Sequence, residues 1–267
     1  MSGSFATYRA LGHRTVQGWL EPQVLDVLQT LDDAQRSAGV SGAVAEIGIH
    51  HGQLFIALQL LNEPGIAAVA IDVFDAQELN VDGSGRGDLG RFEANVRRWG
   101  DWSSVVVKQH DSANLTGDDV RELARRAVRL FSVDGGHLVE TVLTDLRTAE
   151  QSLAPGGIVV LDDVFNAEWP GVSVGTHRYL DSDCVLVPFA IGFNKTYLTD
   201  EGHAARYREA IRRVYGRRWR MAHKTTVFHG SDVEVLWPTP VTPRAVLRRS
   251  RLARKVYRAM TSRRSAR

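Results

Sequence analysis

The chain has 267 residues, of which 43% are hydrophobic and 24% charged, and its formal net charge is +2. This composition is typical of a soluble globular protein and excludes a disordered or collagen-like chain. The single cysteine, Cys184, excludes an intrachain disulfide and a metal site built from several cysteines, and it favours a cytoplasmic enzyme. No apolar run reaches the roughly 18 residues of a membrane-spanning helix, and residues 1–14 lack the apolar core of a signal peptide.

Helical and strand-like patterns alternate through the first 163 residues. Apolar side chains recur at helical spacing in the segments 22–37, 53–61, 91–99, 118–127 and 138–153. Short and almost continuous apolar runs occupy 43–48, 67–72, 105–108, 130–133 and 158–161. Strands separated by helices predict parallel βαβ units, and continuous apolar strands predict a sheet that helices cover on both faces.

The pattern changes after residue 163. Segments 185–199 and 224–237 favour strands, 203–219 favours a basic helix between them, and 229–232 favours a hairpin turn. We therefore predict an α/β fold whose mostly parallel central sheet ends in an antiparallel C-terminal strand or hairpin. One domain would span residues 1–241, with the N-terminal helices of 1–41 as a cap, and a basic tail would follow at 242–267.

The tail at 242–267 has ten Lys or Arg residues and no acidic residue. The preceding 241 residues then hold 23 basic and 31 acidic residues, a balance of −8. An acidic body with a basic tail does not match a general nucleic-acid-binding domain. A helix over 244–260 would suit an anionic membrane surface, nucleic-acid phosphates or the acidic body, and a solvated tail is the simplest interpretation.

Acidic residues, with some serine and glycine, stand at the carboxyl end of every predicted strand from the first to the fifth. They are Glu46 and Gly48, then Asp72, then Asp111 and Ser112, then Asp134, and finally Asp162 and Asp163. A single acid in such a place is explained by a turn or a helix cap. Ligands of open α/β sheets bind outside the strand ends, so acids at five successive ends indicate a ligand site.

The turn after the first strand reads Glu46-x-Gly48-x-x-x-Gly52, and Asp72 ends the second strand. Glycines let the backbone approach a ligand closely, and a helix start offers free N–H groups. A carboxylate at the position of Asp72 suits the two hydroxyls of a ribose, which predicts a nucleoside-containing cofactor. The GxGxxG fingerprint and the GxxxxGK[ST] phosphate loop are absent, so a pyrophosphate cofactor and a nucleotide-dependent oxidoreductase are disfavoured.

Residues 42–163 resemble a class I S-adenosylmethionine-dependent methyltransferase. Two stretches are more specific, Val133-Asp134-Gly135-Gly136-His137 and the segment 153–163 with its Pro-Gly-Gly turn. Over roughly residues 18–200 the chain resembles the macrocin-type sugar and natural-product O-methyltransferases. The resemblance implies a Rossmann-like fold, S-adenosylmethionine as cofactor, and a small-molecule hydroxyl acceptor, most simply on a sugar or glycosylated natural product.

The resemblance also implies roles for individual residues. Glu46, Gly48 and Gly52 would shape the methionine and ribose pocket of the cofactor. Asp72 would bind the ribose hydroxyls, while Asp111 and Ser112 would lie beside the adenine. Asp134, Asp162 and Asp163 would hold Mg²⁺, which prefers oxygen ligands. In the alternative interpretation Asp162 caps a turn and only Asp163 meets solvent.

His137 is the candidate general base. It stands three residues after Asp134, on the first turn of the next predicted helix, and a neutral imidazole suits proton removal near pH 7. One branch of the resembling family has a second Asp where this chain has Gly136, and a helix-capping or supporting role for His137 is the alternative. The other histidines considered are His50 and His51, for the cofactor pocket or the acceptor side, and His177, in a loop that would cover the acceptor.

The long polar loop at 73–90 is expected to fold over the cofactor or the acceptor, and a mobile surface loop is the alternative. Two other functions stay open. The first is methyl transfer to RNA or protein, which the basic tail favours and the acidic body opposes. The second is a non-catalytic protein that binds S-adenosylmethionine. We also expect a homo-oligomer.

Overall fold

The computed structural model describes residues 3–216 and 221–238. The predicted basic tail at 242–267 and the end of the predicted helix 203–219 lie outside the described residues. The helices are α1 Phe5–Ala10, α2 Gln23–Ser37, α3 Gln53–Leu61, α4 Leu89–Trp99, α5 Gly117–Ala124, α6 Val139–Ser152, α7 Pro170–Leu180 and α8 Glu201–Tyr215. The strands are β1 Ala43–Ile47, β2 Ala68–Asp72, β3 Val105–Gln109, β4 Val128–Val133, β5 Leu153–Asp162, β6 Leu186–Gly192, β7 Lys195–Asp200, β8 Met221–Phe228 and β9 Ser231–Pro238.

Within the described residues, the nine strands belong to one sheet, in the order β3-β2-β1-β4-β5-β7-β6-β9-β8. The pairs from β3 to β5 are parallel, while β7 runs antiparallel to both β5 and β6, and β8 runs antiparallel to β9. The predicted α/β class and the antiparallel C-terminal hairpin are confirmed. The strand order reverses between β1 and β4, and such a reversal opens a crevice at the carboxyl ends of the strands.

Two apolar clusters pack on opposite faces of the sheet. Helices α1 to α4 and α8 contribute to one cluster, and α5 to α7 contribute to the other. Alternate residues of β1 enter different clusters, with Val44 on the first face and Ala45 on the second. Burial on both faces is the reason why the strands appear in the sequence as continuous apolar runs.

The structure differs from the predicted elements in two places beyond residue 163. The predicted strand 185–199 is two strands, β6 and β7, joined by a turn in which Phe193 and Asn194 have φ of 57° and 62°. Asn tolerates this left-handed region, and a two-residue turn with positive φ matches the twist of a hairpin. The segment around His177 that the sequence predicts as a loop is helix α7. The helix begins at Pro170, and proline is favoured in the first turn of a helix.

None of the helices within residues 3–216 and 221–238 is long and apolar enough to cross a membrane.

Candidate active site

A cavity of about 630 Å³ opens at the carboxyl ends of β1, β2, β4 and β5. It lies where the strand order reverses, and the loop between β2 and α4 forms part of its wall. Nine of the ten predicted site residues line it, namely Glu46, Gly48, Asp72, Asp111, Ser112, Asp134, His137, Asp162 and Asp163. Parallel strands bring their carboxyl ends to one edge, so residues far apart in the chain meet there.

The turn after β1 begins with a buried acid and a glycine. Glu46 is only 2% exposed, and its Oε2 has no hydrogen-bond partner among the described residues. Burial, reinforced by the negative charge of Asp134, raises the pKa of Glu46 well above its ordinary value. Gly48 has φ of 85°, and a Cβ there would stand 1.7 Å from the carbonyl oxygen of Asp134. Only glycine therefore lets β1 and β4 end side by side.

Gly52 is the tenth predicted site residue and does not line the cavity. It is the N-cap of α3 with φ of 85°, and a Cβ there would stand 2.6 Å from the ring of Phe92. Its observed contact is therefore with the apolar core.

Asp72, at the end of β2, accepts hydrogen bonds from three backbone amides. Its Oδ2 accepts from the N–H groups of Ile49 and His50 at 2.6 and 2.8 Å, and its Oδ1 accepts from Phe74 at 2.6 Å. Burial raises the pKa of Asp72 although these amides oppose the shift. The carboxylate thus fixes the turn after β1 to the end of β2, and it keeps lone pairs for a further donor.

Asp111 and Ser112 follow β3. The Asp111 carboxylate caps the short 3₁₀ helix Ser112–Asn114 by accepting from the N–H of Ala113 at 3.0 Å. Ser112 is buried, and the fully buried Asp145 of α6 lies behind this wall. A Cβ on Gly135 would stand 2.6 Å from an Asp145 oxygen, so the carboxyl group is packed directly against the turn after β4.

The predicted acids of β4 and β5 meet at the other end of the cavity, together with a buried lysine. Lys195 lies opposite Asp162 in the β5–β7 register, and its Nζ contacts Asp162 Oδ2 and lies 3.7 Å from Asp134 Oδ2. The negative charges of Asp162 and Asp134 raise the pKa of Lys195 against the effect of its burial. Burial and the charge of Asp162 raise the pKa of Asp134. Lys195 is therefore a cation held among acids.

Asn194 connects the two consecutive acids at the end of β5, Asp162 and Asp163. Its Nδ2 donates to Asp162 Oδ1 at 3.0 Å and to Asp163 Oδ1 at 2.7 Å, and the Nδ2 of Asn166 donates to Asp163 Oδ1 at 2.7 Å. Burial raises the pKa of Asp163, but hydrogen bonds from His137 and from these amides outweigh it and lower the value to about 2. Asp163 is therefore ionised throughout the neutral range.

His137 lies between two carboxylates and against an aromatic ring. Its Nδ1 is 2.9 Å from Asp82 Oδ2, its Nε2 is 3.4 Å from Asp163 Oδ2, and its ring stacks on Trp169 with centroids 4.1 Å apart. Burial lowers the pKa of His137, but the hydrogen bonds with Asp163 and Asp82 raise it by more than burial lowers it. The pKa of His137 therefore lies above its ordinary value. The imidazole is held in one orientation and one edge of it faces the acids.

One ligand atom each from Asp134, His137 and Asp163 lies within 4.8 Å of the others. The two carboxylates suit a hard cation such as Mg²⁺, which also keeps water ligands. Asp162, the third predicted ligand, lies outside this group of three and contacts Lys195 and Asn194. The cluster brings three aspartates together with one lysine, so its donor set fits a divalent cation.

The three other histidines considered have different surroundings. His50 lines the cavity and packs against Trp19, with ring centroids 4.9 Å apart. His51 is buried and stacks on His50. His177 is on α7 with its ring 5.5 Å from that of Phe228, and it does not line the cavity.

Sequence patterns alone give no site role to Asn194, Lys195 or Trp169, and they place Asp82 only within the polar loop at 73–90. The turn Phe193-Asn194 between two apolar runs is a hairpin signal that would have placed Lys195 at the start of a strand, although not opposite Asp162. No local signal pairs Asp82 with His137, because 55 residues separate them.

Comparisons with known proteins bear on the fold. Residues 45–164 match a family model described as a methyltransferase domain, and no curated protein sequence matches. The O-methyltransferase NovP superposes with a TM-score of 0.54 at 15% identity, covering 67% of this chain and 80% of NovP. The calicheamicin methyltransferase CalS11 gives a TM-score of 0.48 at 22% identity over 68% of this chain and 80% of its own. The architecture is a Rossmann-like methyltransferase fold.

Proposed function

We propose that this protein is an S-adenosylmethionine-dependent O-methyltransferase that acts on a hydroxyl of a small molecule. The observation that carries the proposal is one continuous cavity. It is lined at one end by Glu46, Gly48 and Asp72, and at the other by the cluster of Asp134, His137 and Asp163. Methyl transfer needs this arrangement, because donor and acceptor must lie in line within one pocket.

The cofactor would bind along the ends of β1, β2 and β3. Asp72 would accept hydrogen bonds from the ribose hydroxyls, and Ser112 and Asp111 would lie beside the adenine. The orphaned Oε2 of Glu46 is a buried acceptor that suits the methionine ammonium group. When bound, this cofactor supplies an electrophilic methyl group on a sulfonium sulfur.

The acceptor hydroxyl would approach from the side of β4 and β5. His137 would accept its proton as general base, while Trp169 and the two flanking carboxylates hold the imidazole in place. Asp134 and Asp163 would hold Mg²⁺, with Asp162 kept in position by Lys195 and Asn194. A divalent cation there lowers the pKa of a coordinated hydroxyl and orients it.

The rim of the cavity supports a sugar or glycosylated natural product as acceptor. Trp19, Leu79 and Val81 are apolar side chains that line the cavity yet are 78%, 43% and 72% exposed. An aromatic and apolar rim above a polar floor suits a polyhydroxylated group attached to an apolar scaffold. The predicted cytoplasmic location and homo-oligomer remain predictions.

Calorimetric titration of S-adenosylhomocysteine into the full chain, first with Mg²⁺ and then with EDTA, tests the proposal. We expect micromolar binding in both conditions, because the cofactor residues lie apart from the acidic cluster. Binding that is lost only in EDTA would show that the cation organises the pocket itself. The absence of binding in both conditions would contradict the methyltransferase function.

An acceptor screen with labelled methyl donor separates small-molecule transfer from methylation of RNA or protein. A protein that binds the cofactor and labels none of these acceptors would be the non-catalytic alternative.

A further inference from the structure

The loop between β2 and α4 places one carboxylate on His137. Asp82 is in this loop and its side chain is only 5% exposed. A single oxygen, Oδ2, accepts from the backbone N–H of His137 at 2.5 Å and lies 2.9 Å from His137 Nδ1. The loop is therefore attached to the start of the helix that carries the candidate base.

The other Asp82 oxygen is bound within the loop itself. Oδ1 accepts from the N–H of Ser84 at 2.9 Å and from its hydroxyl at 2.6 Å. Asn80 closes the same turn by donating to the carbonyl oxygens of Ser84 and Gly85 at 3.3 and 3.1 Å. These contacts hold the carboxylate rigidly, so its second oxygen has one direction in which to accept hydrogen bonds.

The imidazole has two nitrogens, and the hydrogen-bond partner of one nitrogen decides whether the other carries a proton in the neutral ring. Asp82 is ionised, because hydrogen bonds from Ser84 and His137 lower its pKa to about 2 despite burial. A carboxylate has only acceptor sites, so a neutral His137 must keep its proton on Nδ1 to bond with it. Asp163 also faces the ring, with its Oδ2 3.4 Å from Nε2, and the charged imidazolium donates to both carboxylates. The neutral ring has one proton to donate, and the 2.9 Å contact of Nδ1 with Asp82 is shorter than that of Nε2 with Asp163, so Nε2 is the unprotonated nitrogen of the neutral ring.

We propose that Asp82 is the positioning residue of His137, and that docking of the β2–α4 loop sets the Nδ1–H tautomer that leaves Nε2 free to accept a proton. This inference rests on the proposed function for its meaning in catalysis. The protonation of the base thereby depends on the docking of this loop, because the residue that orients His137 is on a segment that forms part of the cavity wall.

The test is a direct measurement of the tautomer in the full-length protein labelled with ¹⁵N-histidine. Spectra are recorded with EDTA at alkaline pH, where imidazoles are neutral, and the His137 signals are identified by their loss in His137→Gln. We expect the Nδ1–H tautomer in the wild-type chain. In Asp82→Asn and Asp82→Ala we expect the Nε2–H form to increase at least several-fold, and in Asp82→Glu the wild-type tautomer to return in large part.

Glu78→Gln is the matched control, because Glu78 is exposed on the same loop and does not line the cavity. It removes the same charge and should leave the tautomer unchanged. The inference is overturned if His137 is already in the Nε2–H form in the wild-type chain, or if the Asp82→Asn spectrum matches the wild-type spectrum.

Limited trypsin digestion gives a second reading through Arg86, which lies in the same loop. We expect Asp82→Asn to increase the rate of cleavage after Arg86 about tenfold over wild type and over Glu78→Gln, as followed by mass spectrometry, because local opening exposes the loop. An unchanged rate would overturn the role of Asp82 in docking. Failure of the proposed function is recognised separately, by absent S-adenosylhomocysteine binding to the wild-type chain.

Discussion

At the scale of single residues, burial and hydrogen bonding together decide the pKa of each carboxyl group near the cavity. Acids with bound partners, such as Asp163 and Asp82, are ionised at low pH, because hydrogen bonds stabilise the carboxylate. Acids buried without enough partners shift in the opposite direction. Asp145 is the clearest example, since it is fully buried in α6 and neither carboxylate oxygen has a hydrogen-bond partner by distance and angle among the described residues.

Burial raises the pKa of Asp145 to about 7, and this makes the stability of the protein depend on pH. The unfolded chain loses the proton near the ordinary value of about 3.9, while the native chain keeps it until about pH 7. The free energy of unfolding therefore falls as the pH rises from about 4 to about 7, and it does not recover above that.

We predict that Asp145→Asn removes this decrease. Relative to its value at pH 4, the unfolding free energy of the variant at pH 8 should exceed that of wild type by about 4 kcal/mol, because the pKa differs by about three units between the native and the unfolded chain. Urea unfolding at both pH values measures the difference. Asp118→Asn is the control because its side chain is 94% exposed. An identical pH slope in wild type and Asp145→Asn would contradict the prediction.

At the scale of elements, short turns decide which side chains reach the cavity. The β6–β7 turn places Asn194 over the two acids of β5 and sets Lys195 opposite Asp162. The β1–α3 turn carries the backbone past the end of β4, where Gly48 N–H donates to Ile71 and Asp134 N–H donates to Ile47. Each turn needs residues that tolerate positive φ.

Replacement of Gly48 by alanine should destabilise the protein far more than the same change at Gly65. Both glycines have positive φ, 85° and 79°, but a Cβ at position 65 meets nothing within 4 Å, while at 48 it overlaps the Asp134 carbonyl. Gly65→Ala carries only the left-handed strain of about 1 kcal/mol. We expect Gly48→Ala to lose at least about 3 kcal/mol, measured by urea unfolding, since the backbone of β4 must move as well. Equal losses of unfolding free energy in Gly48→Ala and Gly65→Ala would contradict the prediction that the close approach of β1 and β4 depends on Gly48.

At the scale of the whole molecule, the sheet order concentrates negative charge at one edge. Strands β1, β4 and β5 are neighbours, so Glu46, Asp134, Asp162 and Asp163 lie around one cavity, and Lys195 offsets part of their charge. Mutual repulsion of buried acids opposes folding, as the raised pKa values of Glu46 and Asp134 indicate. A ligand cation that binds only the native state would stabilise the whole domain.

We predict that millimolar Mg²⁺ raises the thermal unfolding midpoint by about 5 °C over NaCl of equal ionic strength. Asp134→Asn and Asp163→Asn should remove most of this rise, because each takes one carboxylate from the proposed site. Glu78→Gln, with the same loss of charge away from the site, should retain it. Scanning calorimetry measures the shift, and a rise that persists in both site variants would contradict cation binding by Asp134 and Asp163.

The sequence by itself determined the order of helices and strands in the parallel part of the sheet. It also determined that five strand ends carry acids and that nine of ten predicted residues share one edge. These features follow from local periodicity and from the rule that parallel strands end at the same edge. Gly52 does not line the cavity, because a glycine at a helix start serves core packing as readily as a ligand.

Only the tertiary structure decided which charged groups pair. Lys195 binds Asp162 because of the β5–β7 register, and Asp82 binds His137 because the long loop crosses to the start of α6. Both pairings depend on the path of the chain over more than 30 residues, where hydrophobic periodicity carries no information. The sequence therefore predicts the chemistry available at the cavity, while the fold assigns each carboxylate to its partner.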